Sequence, residues 1–241
     1  MRYQLYYWPT IQGRGEFVRL ALEQAGAEYI DVARMSGKDR GVSALMHGLA
    51  AGGTTPFAPP YLKAGRLVIG QTANILLYLG DHHALAPKDE TGRLWTHQLQ
   101  LTIADFVAEV HDTHHPLAAS LYYEDQKPAA KRYSKTFLAE RVPKYLGYFE
   151  RILKRNPRGK RFLAGARLSY VDLSMFQVMA GLDYAFPNAM AKRRRSYPLL
   201  RELSARVAAL PRIAAYLGSK RRIPFNNDGI FRRYPALDTR K

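Results

Sequence analysis

The chain of 241 residues contains no cysteine. That absence removes disulfides, thiolate metal sites and any cysteine nucleophile at once, and with them thiol–disulfide exchange by the protein's own side chains. No run approaches ~18 uninterrupted apolar residues, so no membrane-spanning helix is expected. The N-terminus MRYQLYYWP has no apolar core followed by small residues and does not read as a signal peptide, which leaves the cytoplasm as the expected compartment. Acidic residues are scarce: 20 Asp and Glu stand against 37 Lys and Arg, a formal charge of +17. The imbalance is concentrated at the end, where residues 191–241 hold 14 basic and 3 acidic side chains, +11 of that total. Runs such as KRRR (192–195) and SKRR (219–222) offer a surface to polyanions. No nucleic-acid recognition motif accompanies them, and a solvated basic face accounts for them.

What is present is globular: 47% hydrophobic residues with 24% charged. The two halves follow different patterns. Up to about residue 82, strand and helix signals alternate. Tyr3, Leu5 and Tyr7 alternate with Gln4 and Tyr6 as a first strand, GEFVRLALEQAG has helical spacing closed by Gly26, and AEYIDVA (27–33) reads as a second strand. A loosely helical segment over 39–50 ends at GGTTP, YLKAGRLVIG reads as two short strands around a turn, and QTANILLYLG reads as a helix. From Thr91 onward only amphipathic helical stretches remain, at about 91–124, 128–155, 169–184, 196–209 and 211–218. Ser169 with Asp172 three residues on, flanked by Leu168 and Leu173, predicts a capped helix start.

Within FAPPYL (57–62) the strand pattern is broken by Pro59 and Pro60, which cannot donate to a ladder and belong at a strand start or special turn. Eleven positions after Pro60 come Gln71 and Thr72 at a predicted helix start, where free N–H groups and the helix dipole suit a carboxylate. At the end of the first strand stand two phenols, Tyr6 and Tyr7. EVHDTHHP (109–116) places His111 and His115 four apart, a spacing that presents two metal ligands on one helix face. A third ligand would have to come from Asp112 or elsewhere, and no second cluster accompanies them, so no metal is expected.

The order of LYYWPTIQGRGEFVRLAL, PPYLKAGRLVIGQTANILLYLG, LSYVDLSMF and PRIAAYLGSKRRIPFN resembles the tyrosine-type cytosolic glutathione S-transferases (alpha, mu, pi and sigma-like), with the look of a divergent bacterial member. The resemblance covers essentially the full length. It implies an α/β thioredoxin-like, glutathione-binding domain over 1–84, a linker over 85–92 and an all-α helical domain with a basic tail over 93–241. It further implies a cytoplasmic homodimer with no membrane part. Its activity would be conjugation of glutathione, the co-substrate, to a small hydrophobic electrophile. In such a site Pro60 is the cis proline, and Pro59 faces the backbone of glutathione with only its carbonyl. The missing N–H costs about 0.5–1.5 kcal/mol of binding. Gln71 and Thr72 hold the γ-glutamyl carboxylate, and Asp105 reaches the γ-glutamyl amine across the dimer. Lys38 or Arg40 meets the glycine carboxylate, and Trp8 and His115 border the electrophile, with His114 the neighbouring choice.

The catalytic role falls on Tyr7, with Tyr6 its rival. A thiol of pKa near 8.5 is only a few per cent ionised at neutral pH, and a hydroxyl aimed at the sulfur raises that fraction. The alternative reading is a binding protein on the same fold that contacts polyanions through its basic end.

Overall fold

The structure, a computed structural model, describes residues 2–239. Its first strand, β1 (Tyr3–Tyr6), forms where the alternating residues demand two faces: Tyr3 and Leu5 enter the main core and Tyr6 a smaller one behind it. β1 runs parallel to β2 (Tyr29–Asp31) and antiparallel to β3 (Tyr61–Ala64). β3 in turn pairs antiparallel with β4 (Leu67–Gly70), giving the order β2-β1-β3-β4. β2 is shorter than the expected 27–33 because its partner offers pairing only as far as Leu5, opposite Asp31. The chain then bends into a 3-10 turn, Val32–Arg34.

Helix α1 (Gly15–Ala25) closes with Gly26 in the left-handed region, φ 64°, whose N–H caps the last turn. It packs beside α3 (Thr72–His82), whose Ile75 and Leu76 are buried, over the Leu5 and Leu62 side of the sheet. The opposite face is covered by α2 (Gly41–Ala50), whose Leu45 is buried with Tyr6, Ile30, Val32 and Tyr61.

The helical layer begins with α4 (Glu90–Asp112), capped by Asp89, whose carboxylate accepts the Gly92 N–H at 2.7 Å. α4 stops twelve residues short of the expected 124, just ahead of Pro116, a residue that cannot continue a helix. The expected 128–155 helix is α5 (Lys127–Thr136), a π-turn (Phe137–Arg141) and α6 (Val142–Arg155) in succession. The π-turn lies immediately before Pro143, where a missing amide interrupts the ladder. α7 (Tyr170–Ala185) is buried along most of its length. The Asp172 carboxylate accepts the N–H groups of Ser169 and Leu163, each at 2.8 Å, fixing its start. α8 (Pro187–Lys192), α9 (Pro198–Ala208) and α10 (Pro211–Leu217) follow, each opening on proline at a position where no amide is needed.

Residues 219–239 form a strap without α-helix that crosses back over the sheet layer. Arg221 pairs with Glu23 (2.8 Å) and Arg222 with the buried Glu16. Gln12 donates to the Ile223 carbonyl, Asn226 to that of Thr10, and Arg34 to those of Lys220 and Arg221. Part of the basic end is thus a clasp between sheet layer and helical layer, which removes the motive for reading SKRR as a polyanion surface. No helix among the described residues is long and apolar enough to cross a membrane.

Candidate active site

The sheet register brings the sequence motifs to one end. Tyr6 pairs with Tyr61 and Tyr61 with Gly70. The residues just outside that register, Tyr7 after β1, Pro60 before β3 and Gln71 after β4, therefore emerge together. The Pro59–Pro60 bond is cis. Pro60 is buried and Pro59 half-buried, while the neighbouring Phe57 is 95% exposed and belongs to no strand.

Tyr7 is 5% exposed and lies against the start of α1. Its Oη accepts the Arg14 N–H at 2.9 Å. Gly13, at φ 45°, makes that approach possible, since a Cβ there would sit 2.0 Å from the hydroxyl. The Arg19 guanidinium lies 5.8 Å from the centre of the ring. Burial pushes the phenol's pKa up, opposed by the Arg14 and Gly15 amides and the Arg14 and Arg19 charges, so the group stays protonated at neutral pH. No acceptor for its own hydrogen exists among the described residues, so the hydroxyl has a proton to donate outward. Tyr6 differs in every respect. It points to the other side of the sheet, stacks on Tyr61 at 4.4 Å and donates to Gln4 Oε1 at 2.9 Å.

Beside this point a small cavity is lined by Arg14, Phe17, Thr72, Gln100, Ile103 and Ala104, among others. Thr72 Oγ1 and Gln100 Oε1 are both buried without a hydrogen-bond partner. Both residues line this cavity, and an unpartnered buried polar atom costs about 1–3 kcal/mol. Gln100 carries no sequence signal of its own; it is one polar residue on a long amphipathic helix. Gln71 is exposed, in a positive-φ conformation (65°) that turns the chain into α3. Asp105 is exposed on α4, on the outer side of the cavity residue Ala104. Lys38 is exposed and Arg40 half-buried in the segment between β2 and α2. Neither side chain has a hydrogen bond or ion pair among the described residues, and nothing ties them to Tyr7.

At the C-terminal end of α4, His111, His114 and His115 form one cluster, with ring centres 4.7 to 5.1 Å apart. The buried His114 contacts the Ile230 carbonyl through Nε2 at 2.8 Å, which puts the proton of the neutral ring on Nε2. Its Nδ1 is then an acceptor, and the donor is His115 Nδ1–H at 2.5 Å. Burial and the Arg232 charge push the pKa of His114 down to about 3 and of His115 down to about 4. Burial also lowers that of His111, with Arg14 and Arg232 contributing and Asp112 opposing. Trp8 is partly exposed next to Tyr7, and Tyr122 is exposed, whereas Tyr123 is buried and stacked on Tyr234 of the strap.

Comparison with known proteins agrees with this architecture. Residues 111–220 match the family model described as Glutathione S-transferase, C-terminal domain. Over 229 residues the chain is 29% identical to Glutathione S-transferase P 1 of Xenopus laevis, covering 91% of this chain and 93% of that one. Over 222 residues it is 25% identical to a Glutathione S-transferase of Plasmodium falciparum, with 90% and 95% covered. Among solved structures, prostaglandin synthase D of Nilaparvata lugens superimposes with a TM-score of 0.71 at 23% identity, covering 93% of this chain and all of that one. The rat hPGDS complex with a quinoline gives 0.68 at 21%, covering 90% of this chain and 96% of that one. The two solved structures establish the fold: a mixed four-stranded α/β layer followed by a helical one. On that fold, the matched C-terminal domain and the near-full-length relatives, the chain is similar to glutathione S-transferases along most of its length.

Proposed function

We propose that the chain is a glutathione transferase in which the Tyr7 hydroxyl donates to the sulfur of bound glutathione, keeping it ionised for addition to a small electrophile. The observation that carries this reading is the half-used hydroxyl. Tyr7 Oη accepts a backbone N–H and stays protonated, with no acceptor for its own hydrogen. A donor aimed at sulfur favours thiolate over thiol. A hydrogen bond to a charged group contributes about 1.5–3 kcal/mol, and each pKa unit corresponds to about 1.36 kcal/mol. One hydroxyl therefore lowers a thiol of pKa near 8.5 by about one to two units, raising the thiolate at pH 7 from about 3% to between about a quarter and three quarters.

The γ-glutamyl carboxylate is received at the start of α3 by Gln71 and Thr72, with Gln100 closing the same cavity. The Pro59 carbonyl takes the one backbone bond it is able to take. Asp105 approaches the γ-glutamyl amine of a second copy in a homodimer, and Lys38 or Arg40 meets the glycine carboxylate. The electrophile lies against Trp8 and His115. The glutathione-binding unit spans 1–84 and the helical unit 93–241, joined through 85–92. Glutathione is a co-substrate, and the chemistry assigned to Tyr7 uses no metal.

Ultraviolet titration of the bound thiolate tests the assignment. Tyr7→Phe is expected to raise the bound thiol's pKa by about one to two units and to cut conjugation of a chloronitrobenzene at neutral pH by about eight- to twenty-five-fold, with glutathione affinity nearly unchanged. The same thiol pKa in both proteins rules Tyr7 out.

A further inference from the structure

The amide that meets the Tyr7 hydroxyl belongs to Arg14, at the end of a loop over residues 8–14. Gln12 is the one buried polar side chain of that loop, 5% exposed. Its carbonyl accepts the Glu16 N–H at 3.0 Å and Arg19 Nη1 at 3.3 Å. Its side-chain amide closes a ring of hydrogen bonds with two segments far away in the chain. Arg222 Nη2 donates to Gln177 Oε1 (3.0 Å) and Gln177 Nε2 to Gln12 Oε1 (2.7 Å). Gln12 Nε2 then donates to the carbonyl of Ile223, the neighbour of Arg222 on the strap. Gln177 is fully buried on α7.

The one charged member fixes the direction of this ring. A guanidinium has donors and no acceptor, so Gln177 turns its oxygen to Arg222 and its nitrogen to Gln12. Gln12 is left with its own nitrogen for the Ile223 carbonyl. Arg222 is held in turn by the buried Glu16, a carboxylate that also takes the Tyr216 hydroxyl at 2.7 Å and Arg19 at 3.3 Å. The chain is thus pinned at residue 12, through backbone and side chain, and again at residue 16. The Arg14 and Gly15 amides that act on Tyr7 lie between the two pins. Gln12, Gln177 and Arg222 have no part in the cavity at Thr72 and Gln100.

We infer that Gln12 is a positioning residue for the reaction. Locked by Gln177, Arg222 and Ile223, it aims the Arg14 amide and, through that amide, the Tyr7 hydroxyl. The inference rests on the reading of Tyr7 as the donor to sulfur. A hydroxyl out of line stabilises the thiolate less, while the start of α3 receives glutathione as before. The loss therefore falls on ionisation of the thiol, and it vanishes at a pH where the thiol ionises unaided.

Gln12→Met keeps the length of the side chain and removes both of its hydrogen bonds. The pH profile of kcat/KM for a chloronitrobenzene, at saturating glutathione, is expected to move up by about half to one unit. That shift is about a two- to fivefold loss at pH 7, with the rate at pH 9 and the KM for glutathione staying within about twofold of wild type. Gln177→Met opens the same ring from the helical layer and is expected to give the same shift; it decides alone should Gln12→Met not melt cooperatively. In a Tyr7→Phe background, Gln12→Met is expected to move the profile no further. Three results overturn the inference: a profile superimposed on that of the wild type, an equal loss at pH 7 and pH 9, or a full shift that persists without the Tyr7 hydroxyl. An unshifted Gln12→Met beside a shifted Tyr7→Phe sinks the inference alone, whereas an unshifted Tyr7→Phe sinks the reading of Tyr7 and the inference with it.

Discussion

Two adjacent tyrosines of the same chemistry have opposite uses, and the difference lies in what each hydroxyl already touches. Tyr6 gives its proton to Gln4 and its ring to Tyr61, so its bonding is complete. Tyr7 accepts from Arg14 and has a proton left. Tyr6→Phe is therefore expected to leave the thiolate titration unchanged and to cost about 0.5–1.5 kcal/mol in urea unfolding. The sharper test of aim is Gly13→Ala. Its Cβ would lie 2.0 Å from the Tyr7 hydroxyl at a backbone angle, φ 45°, that disfavours alanine. The phenol must move, and kcat/KM is expected to fall towards that of Tyr7→Phe in a protein that still melts cooperatively. A Gly13→Ala protein with the wild-type thiol pKa would show that the position of the hydroxyl is unimportant. Strand alternation and the LYYWP motif point to Tyr7 in the sequence. The amide that polarises it belongs to a loop, where residue types say little about backbone direction.

At the scale of elements, the starts of α1 and α3 and the middle of α4 meet where Thr72 Oγ1 and Gln100 Oε1 are left unpartnered. A hydroxyl with no partner in the free protein stabilises nothing there, so replacing it should be harmless to folding and harmful to binding. Thr72→Val is expected to raise the KM for glutathione by about tenfold with kcat little changed, and to leave the melting temperature the same or higher. A lower melting temperature with an unaltered KM would make Thr72 a structural residue. The eleven-position interval from Pro60 to Gln71 makes this corner legible, because β3, its turn and β4 fill that interval in a fixed register. Element boundaries were less legible. The 113–124 segment keeps an amphipathic composition, yet Pro116 ends the ladder, and the π-turn before Pro143 leaves no mark on hydrophobic spacing. Lys38 and Arg40 illustrate the other limit: a cation in a loop is readable as a charge, but its reach depends on a backbone path that no periodicity encodes.

For the whole molecule, the strap over 219–239 decides how acid is tolerated. Arg221 and Arg222 hold it to α1, and the buried His114 holds it to α4 through the Ile230 carbonyl. Charge excess in a sequence states only a sum, so the clasp became visible once Glu16 and Glu23 were found opposite those arginines. His114 has its pKa pushed from 6.5 to about 3 by burial and by Arg232, with His111 and His115 adding to the repulsion. Its folded form therefore stays neutral while the unfolded chain takes up a proton below pH 6.5. By linkage, the stability it contributes is complete above pH 6.5 and is lost progressively as pH falls towards 3. His115, lowered to about 4, acts in the same direction; the Ile230 carbonyl opposes the shift of His114, and Asp112 that of His115. The buried Asp172 carboxyl, raised from 3.8 to about 6, acts oppositely across that interval. A comparison between variants is needed to separate them. His114→Gln keeps a donor for Ile230 and cannot take a proton, so it removes the histidine contribution alone. Urea midpoints measured from pH 7.5 down to about 4.5 should fall more steeply in the wild type than in His114→Gln below pH 6.5. The two curves should run parallel above it. Parallel curves over the whole range would mean that His114 is protonated as readily in the folded protein as in the unfolded chain, and the strap would then owe its acid sensitivity to the carboxylates of the clasp.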